Sequence, residues 1–276
     1  MRRIGSLTGL LAIFWLGAAA AGAAKDLQLE GRLVQGGLVL GHTLPGTRVK
    51  LGERELRVGR DGRFVIGFGR DAEHLAQLEA RLPDGRIMRR TLAIEQRDYL
   101  VQRIDGLPPR QVAPSEQDLA RIRADAERIG RARRRDSDLA GFGETAIWPV
   151  PGPVSGVFGS QRILNGEPRS PHRGVDVAAA AGTPVGAMAR GVVSLAETGM
   201  FFTGGTVMID HGHGVHSVYA HLAEVRVREG QRLEQGDVLG TVGATGRATG
   251  PHLHWGVYWF DEAVDPALLV GPMPTQ

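Results

Sequence analysis

Histidine is concentrated in one stretch of this chain. Seven of its nine histidines lie between residues 172 and 254, and the sequence contains no cysteine. A metal site in this stretch would therefore use imidazole and carboxylate ligands alone, and a thiolate nucleophile is excluded. Two imidazoles and one carboxylate make an open zinc site that keeps its fourth position for water, whereas a structural site fills all four positions with protein ligands. The crowding therefore favours metal-dependent catalysis.

Three short motifs contain the candidate groups. In His172-Arg-Gly-Val-Asp176 the imidazole and the carboxylate stand four residues apart around a glycine, so a turn can bring both to one ion. In His252-Leu-His254 both imidazoles point to one side of a strand, because successive strand side chains alternate in direction. The same period places the phenol and the imidazole of Tyr219-Ala-His221 on one face. Structural histidines would explain any one motif alone, but the combination indicates a site.

In this order the motifs resemble those of the lysostaphin/LytM-type zinc metallopeptidases, over residues 152–266. The matching segments are Phe158-Gly159, Arg162, His172-Arg-Gly-Val-Asp176, Gly182-Thr-Pro-Val185, Ala189-Arg-Gly191, Ile209-Asp-His-Gly212, Tyr219-Ala-His-Leu222, Val242-Gly-Ala-Thr-Gly246 and Thr249-Gly-Pro-His-Leu-His254.

The resemblance implies a role for five residues of these motifs. It assigns one zinc ion to His172, Asp176 and His254. His221 and His252 become the catalytic pair, in which one imidazole takes the proton of the attacking water and the other stabilises the oxyanion. Which of the two is the base is left open. The histidines without an implied role, expected to be structural or exposed, are His211, His213 and His216.

Substrate contacts are also implied. Arg162 and Asn165 lie where the family lines its substrate groove, and Tyr219 is expected to assist as a phenol donor. Two departures from the family pattern concern substrate preference rather than activity. Gly256 stands where an acid usually follows the H-x-H motif, and Gly212-His-Gly214 replaces the common Gly-Asn-Gly.

The N-terminus has the pattern of an export signal. Arg2 and Arg3 precede an apolar run from Leu7 to Leu16, and Ala21-Gly-Ala23 fits a cleavage site. An uncleaved anchor is the alternative, because residues 4–24 carry no charge and are about long enough to span a bilayer. The small residues in the second half of this segment favour cleavage. The sequence therefore predicts an exported, periplasmic protein with no transmembrane segment after signal removal.

Composition and patterning predict a mainly β protein. The chain is 23% charged and 42% hydrophobic, as folded soluble proteins are, and its 40 glycines favour many tight turns between short strands. We predict an antiparallel β-sheet metallopeptidase domain over 147–276. Its clearest apolar runs lie at 191–193, 206–209, 217–220 and 240–243.

The upstream half predicts a small β domain and one linker helix. After a signal peptide at 1–24, residues 25–107 show alternating apolar positions, and Asp61-Gly62 and Asp84-Gly85 separate the runs as hairpin turns would. A linker at 108–146 follows Pro108-Pro109. It contains a predicted helix at about 115–134, in which apolar residues at 119, 122, 126 and 129 recur at helical spacing.

Charge is unevenly distributed along the chain. The net charge is +3, yet residues 147–276 carry 8 arginines, no lysine and 11 acidic residues, a balance of −3. The basic excess is densest at 128–135, which is either a solvated helix end or a surface for an anionic polymer or membrane. We expect no nucleic-acid partner.

These observations lead to one main functional hypothesis and two alternatives. The main hypothesis is an exported zinc-dependent endopeptidase that hydrolyses peptide bonds in the stems or cross-links of peptidoglycan. The first alternative is a catalytically silent LytM-like module that activates another cell-wall hydrolase. The second is a carbohydrate-binding wall protein with a closed structural metal site. Peptidoglycan is the expected partner, and the sequence does not identify a regulatory protein partner.

Overall fold

The computed structural model describes residues 26–104, 116–164 and 166–274. The fold is mainly β with antiparallel sheets, as the sequence predicts. One long helix, α1 (Glu116–Arg133), lies within the range predicted for the linker helix. The signal peptide, the expected helix start at Ser115 and the groove residue Asn165 lie outside the described residues.

Two upstream sheets share one apolar core. One has the strand order β1-β2-β5 and the other β4-β3-β6-β7. Phe64, Ile66 and Leu78 fill the space between them and are almost completely buried. The strands are β1 (Leu27–Glu30), β2 (Leu38–Thr43), β3 (Arg48–Leu51), β4 (Arg54–Leu56), β5 (Arg63–Gly67), β6 (Leu75–Arg81) and β7 (Ile87–Ala93).

Only one of the two expected hairpin turns is a hairpin. At Asp84-Gly85 the chain turns between the antiparallel partners β6 and β7, with Gly85 at φ +87°. The prediction for Asp61-Gly62 was wrong, because β4 and β5 belong to different sheets. Gly62, at φ +80°, instead turns the chain from one sheet into the other. Local turn chemistry identified the turn but not the partners of the strands on either side.

The downstream half forms a ten-stranded sheet with the order β17-β14-β15-β16-β19-β12-β9, to which β13, β18 and β20 add at β16 and β19. All four predicted apolar runs of this half fall in or overlap its strands. These strands are β9 (Val154–Gly156), β12 (Val175–Ala178), β13 (Pro184–Gly186), β14 (Gly191–Met200), β15 (Gly204–Gly212), β16 (Val215–Val225), β17 (Arg232–Leu233), β18 (Val238–Val242), β19 (His252–Trp259) and β20 (Glu262–Val264).

A third, small sheet joins the two halves of the chain. Strand β8 (Val101–Ile104) pairs in parallel with β10 (Gln161–Leu164), which pairs in turn with β11 (Glu167–Pro168). Arg97 also reaches across, with 2.9 Å between its Nη1 and Oδ2 of the buried Asp265. The upstream domain is therefore attached to the downstream sheet by backbone pairing as well as by side chains. Sequence periodicity did not predict this pairing, because β8 and β10 are too short to carry a pattern.

Helix α1 lies against strands β14 and β15 of the large sheet. Ala132 is its buried residue, packed in a small apolar cluster with Met200 and Tyr258. Among the described residues, no helix combines the length and the apolar character that crossing a bilayer requires.

Candidate metal centre

Two paired strands present most of the metal-ligand candidates. Asp176 on β12 lies directly opposite His254 on β19, so the two side chains share one face of the sheet. His252, two residues before His254, lies on the same face. Leu253 and Trp255 are completely buried on the other face. The alternation predicted for the H-x-H motif is therefore what the structure shows.

His172 reaches the same face from the loop before β12. Its backbone is fixed to the preceding segment, since its N–H donates to Ser160 (2.8 Å) and its carbonyl accepts from Gly159 (2.9 Å). Gly174 explains the glycine inside the motif. A Cβ there would lie 2.9 Å from the carbonyl carbon of Trp255, so only glycine lets this loop lie against β19.

The three candidate ligands converge on one point. Nε2 of His172 lies 3.0 Å from Oδ1 of Asp176 and 3.0 Å from Nδ1 of His254. Nδ1 of His254 lies 2.9 Å from the same carboxylate oxygen. This trio forms the one cluster of potential metal-binding side chains found among the described residues.

The hydrogen bonds around the trio fit a bound cation. Nδ1 of His172 lies 3.0 Å from the carbonyl oxygen of Val157. This contact places the ring proton on Nδ1 and leaves a lone pair on Nε2. That lone pair then faces a carboxylate oxygen and a second imidazole nitrogen. A cation between them would bind the His172 lone pair, the carboxylate oxygen and the second imidazole nitrogen at once. Two imidazoles and one carboxylate are the ligand types that zinc accepts in open sites.

The protonation states of Asp176 and His254 also suit metal binding. Burial would raise the pKa of the Asp176 carboxyl, but the two imidazoles of His172 and His254 in contact with it outweigh burial and hold that pKa well below its usual range. The carboxylate is therefore ionised at any physiological pH. Burial also lowers the pKa of His254, which keeps its imidazole neutral, as a metal ligand must be.

A β-bulge turns His221 toward this site. Gly205 and Val207 of β15 pair with Leu222 and Tyr219 of β16, so one residue of β15 faces two of β16. His221 occupies the bulge at φ +64°, in the left-handed region. The extra residue reverses the alternation, and its ring lies 4.7 Å from that of His252 between centroids.

The two candidate catalytic imidazoles are oriented by backbone carbonyls. Nδ1 of His221 lies 2.8 Å from the carbonyl of Thr245, and Nδ1 of His252 lies 2.8 Å from that of Gly250. Each ring therefore carries its proton on Nδ1 and keeps Nε2 as an acceptor. Burial lowers the pKa of His221, which favours this neutral form. Nε2 of His252 lies 4.0 Å from Oδ1 of Asp176, close to the metal trio.

The expectation for Tyr219 was wrong. Tyr219 pairs with Trp255, is completely buried and lies on the core face of the sheet. Its hydroxyl accepts a hydrogen bond from the N–H of Met188 (2.8 Å) and one from the hydroxyl of Ser217 (3.1 Å). Burial raises its pKa to about 12. Because the bulge at residues 220–221 reverses the alternation, the side chains of Tyr219 and His221 do not share a face, and Tyr219 does not reach the site.

The groove residues are only partly described. The backbone of Arg162 lies in β10, and Asn165 lies outside the described residues. A cleft of about 520 Å³ opens beside the metal trio, between the upstream sheets and β19. Its lining includes Arg54, Arg70, Phe158, Arg173 and Trp259, and it reaches His172.

The remaining histidines of the stretch are structural, as expected. His211, His213 and His216 are buried away from the trio. His211 lies between the carbonyl of Arg190 (2.8 Å) and the hydroxyl of Ser217 (2.7 Å). Burial lowers its pKa to about 4.

Sequence reasoning missed the groups that orient the imidazoles. The carbonyls of Val157, Thr245 and Gly250 are backbone groups, which leave no residue-type signal. Gly156, by contrast, gives a weak residue-type signal, because the site requires glycine at this position. It lies opposite Asp176 on β9, where a Cβ would clash with the carboxylate.

Comparison with known proteins identifies the family. The family model for Peptidase family M23 matches residues 170–266, which contain the trio, His221 and His252. A crystal structure from Pseudomonas aeruginosa, described as a candidate peptidase M23, is 33% identical and covers 86% of this chain and 94% of that one, with a TM-score of 0.64. The chain belongs to peptidase family M23. This confirms the resemblance to lysostaphin/LytM-type peptidases.

Named M23 relatives are similar over the catalytic segment. The DD-carboxypeptidase/endopeptidase Mpg of Neisseria meningitidis serogroup B is 43% identical over 104 residues, which are 37% of this chain and 24% of that protein. The peptidoglycan DD-endopeptidase ShyC of Vibrio cholerae is 40% identical over 104 residues, with the same coverage. The chain thus spans about a quarter of the length of these curated relatives.

Proposed function

We propose that this chain is an exported zinc-dependent endopeptidase that hydrolyses peptide bonds in the stems or cross-links of peptidoglycan. One observation carries the proposal. Two strands, a loop and a bulge bring three metal-ligand candidates and the imidazoles of His221 and His252 to the same face of one sheet. The peptidoglycan substrate rests on M23 relatives with DD-endopeptidase names.

The chain's own residues supply three functions in this reaction. His172, Asp176 and His254 would hold one zinc ion, whose Lewis acidity activates water and polarises a carbonyl. His221 and His252 each keep an Nε2 acceptor near the trio, so one can take a proton during attack and return it to the leaving amine. The other can donate a hydrogen bond once it is protonated and so stabilise the developing oxyanion.

Water access and substrate access both suit hydrolysis. The side chains of His172, His254 and His252 remain about one-fifth exposed, at 21%, 18% and 18%. A closed structural site would hide its ligands, so this exposure counts against the closed-site alternative. The cleft beside His172 is lined by the rings of Phe158 and Trp259 and by side chains of both charge signs, which suits a peptide that carries both amino and carboxylate groups. The charged lining residues are Arg54, Arg70, Arg173, Asp71, Glu73, Asp261 and Glu262.

Digestion of purified sacculi tests the proposal. Zinc-loaded protein should release new soluble muropeptides that carry a fresh amino terminus, and a chelator should stop the release. If zinc-loaded protein leaves the muropeptide profile of sacculi unchanged, the endopeptidase proposal fails. That result would favour the alternative of a catalytically silent module that activates another hydrolase.

Export has a separate test. The features that support export are Arg2 and Arg3, the apolar run from Leu7 to Leu16, and the small residues that end near Ala23. We expect the protein in the periplasmic fraction, with an N-terminus near residue 24. Recovery of full-length chain in the cytosol would contradict export without affecting the proposed chemistry.

A further inference from the structure

The middle of α1 is held by polar contacts to one short segment. A guanidinium N–H of Arg121 donates to the carbonyl of Gly199, and Oδ2 of Asp125 accepts from the N–H of Phe201 at 2.7 Å. Arg128 pairs with Glu197 at 2.9 Å. The helix buries only Ala132, near its C-terminal end. The middle of α1 therefore depends on polar groups for its position.

The segment that α1 holds is part of the candidate catalytic site. We call residues 199–205, which comprise the end of β14, the turn 201–203 and the start of β15, the tether loop. The carbonyl of Thr203 accepts a hydrogen bond from the N–H of His221 at 2.8 Å. The carbonyl of Phe202 accepts from the N–H of Arg247 at 2.9 Å, and the guanidinium of Arg247 lies 4.4 Å from the ring centroid of Phe202.

The tether loop also holds the carbonyl that orients the imidazole. The N–H of Gly205 donates to Oγ1 of Thr245 at 2.9 Å, while the carbonyl of Thr245 faces Nδ1 of His221 at 2.8 Å. Both the backbone and the ring of His221 are thus fixed by residues within or directly bonded to the tether loop.

His221 needs this support because its backbone is strained. A non-glycine residue at φ +64° is uncommon, and such a conformation persists only where the surroundings hold it. Asp125 contributes to this support indirectly. Its carboxylate accepts the N–H of Phe201 in the tether loop, and the carbonyl of Thr203 in the same loop accepts the N–H of His221. A carboxylate bonded to a backbone N–H makes a short, charge-assisted hydrogen bond, stronger than a neutral one.

We propose that Asp125 is a positioning residue for peptide hydrolysis, which acts through the tether loop to hold His221 in place. This inference rests on the proposed function, since it requires His221 to act on substrate. Asp125 itself contacts the loop at the N–H of Phe201, so its effect reaches the reaction only through the loop.

Three variants and two readouts test the inference. Asp125→Ala removes the acceptor, Asp125→Asn keeps an oxygen that can accept the same bond, and Glu127→Ala removes an exposed acid two residues along the same helix. Each variant is assayed for kcat and KM on purified sacculi, with zinc content measured. Hydrogen exchange of the tether loop and of residues 219–222 is followed in the same proteins.

The expected pattern separates positioning from general damage. Asp125→Ala should lower kcat about tenfold or more, because small misplacement of a catalytic group is costly. Its KM and zinc content should stay within twofold of wild type, while exchange in the tether loop accelerates. Asp125→Asn should keep more than half of the wild-type kcat, and Glu127→Ala should match wild type throughout.

Several results would overturn the inference. Wild-type kcat in Asp125→Ala would do so, and so would an equal loss in Asp125→Asn, or a change in KM alone. If wild-type protein releases nothing from sacculi, the proposed function fails instead. In that case, hydrogen exchange still tests whether Asp125 holds the tether loop. Unchanged hydrogen exchange of the tether loop in Asp125→Ala would refute that contact's role.

Discussion

The substitution Gly156→Ala tests the metal centre without removing any ligand. Gly156 on β9 lies opposite Asp176, and a Cβ at this position would clash with Oδ2 of the carboxylate. It would also stand 2.9 Å from Cγ and 3.1 Å from Cβ of Asp176. Gly156 has no left-handed φ, so the added methyl group acts through space rather than through backbone strain.

The clash should displace one of three ligands by more than metal coordination tolerates. Ordinary van der Waals contact begins near 3.4 Å, so Cγ of Asp176 must retreat by about 0.5 Å. Metal–ligand distances tolerate shifts of about 0.2 Å. Changes that only disturb the support of a ligand cost about 10- to 100-fold in metal affinity. We therefore expect a loss of about 100-fold, or about 2.7 kcal/mol.

Competition for zinc with a chromophoric chelator measures this loss directly. Gly271→Ala is the matched control, because Gly271 is exposed and a Cβ there meets nothing within 4 Å. Hydrolysis by Gly156→Ala should recover at least in part when zinc is supplied in excess. Wild-type zinc affinity in Gly156→Ala would refute the placement of Asp176 as a ligand.

Three further predictions follow from the contacts around the site. His221→Ala should lower kcat about 100-fold or more with zinc content unchanged, and a variant that loses zinc instead would argue for a ligand role. Tyr219→Phe should cost about 1–3 kcal/mol of unfolding free energy, measured in urea, because it leaves the buried N–H of Met188 unpaired, while kcat stays at the wild-type level. His211 titrates near 6.5 when unfolded and about 4 when folded, so the unfolded state binds more protons between these values. The stability from its neutral form is complete above pH 6.5 and is lost as pH falls toward 4, up to about 3 kcal/mol. His211→Gln should flatten the pH dependence of unfolding over this window, and an unchanged slope would contradict the assignment.

The sequence predicted the parts of the site that follow local periodicity. The H-x-H motif alternates with the buried Leu253 and Trp255, so its two imidazoles share a face as expected. The helix in the linker and the strands of the downstream sheet also carried clear patterns. These features depend on which residues are buried, and burial leaves a period in the sequence.

Features that depend on register were not predicted. The bulge at His221 arises because the register between β15 and β16 shifts by one residue. No residue type in the sequence indicates that shift. The offset put His221 in the site and Tyr219 in the core, opposite to the simple alternation. The pairing of β8 with β10 and the polar contacts of Asp125 likewise arise from segments far apart in the chain.

Zinc stoichiometry is the most direct test of the account. We expect wild-type protein, dialysed against trace zinc, to hold one zinc ion per chain by elemental mass spectrometry. His254→Ala should hold less than about a tenth of that amount, since it removes one of three protein ligands. His74→Ala, which changes an exposed histidine of the upstream domain, should match wild type. A His254→Ala protein that still binds one zinc ion would contradict the three-ligand centre on which the proposed chemistry depends.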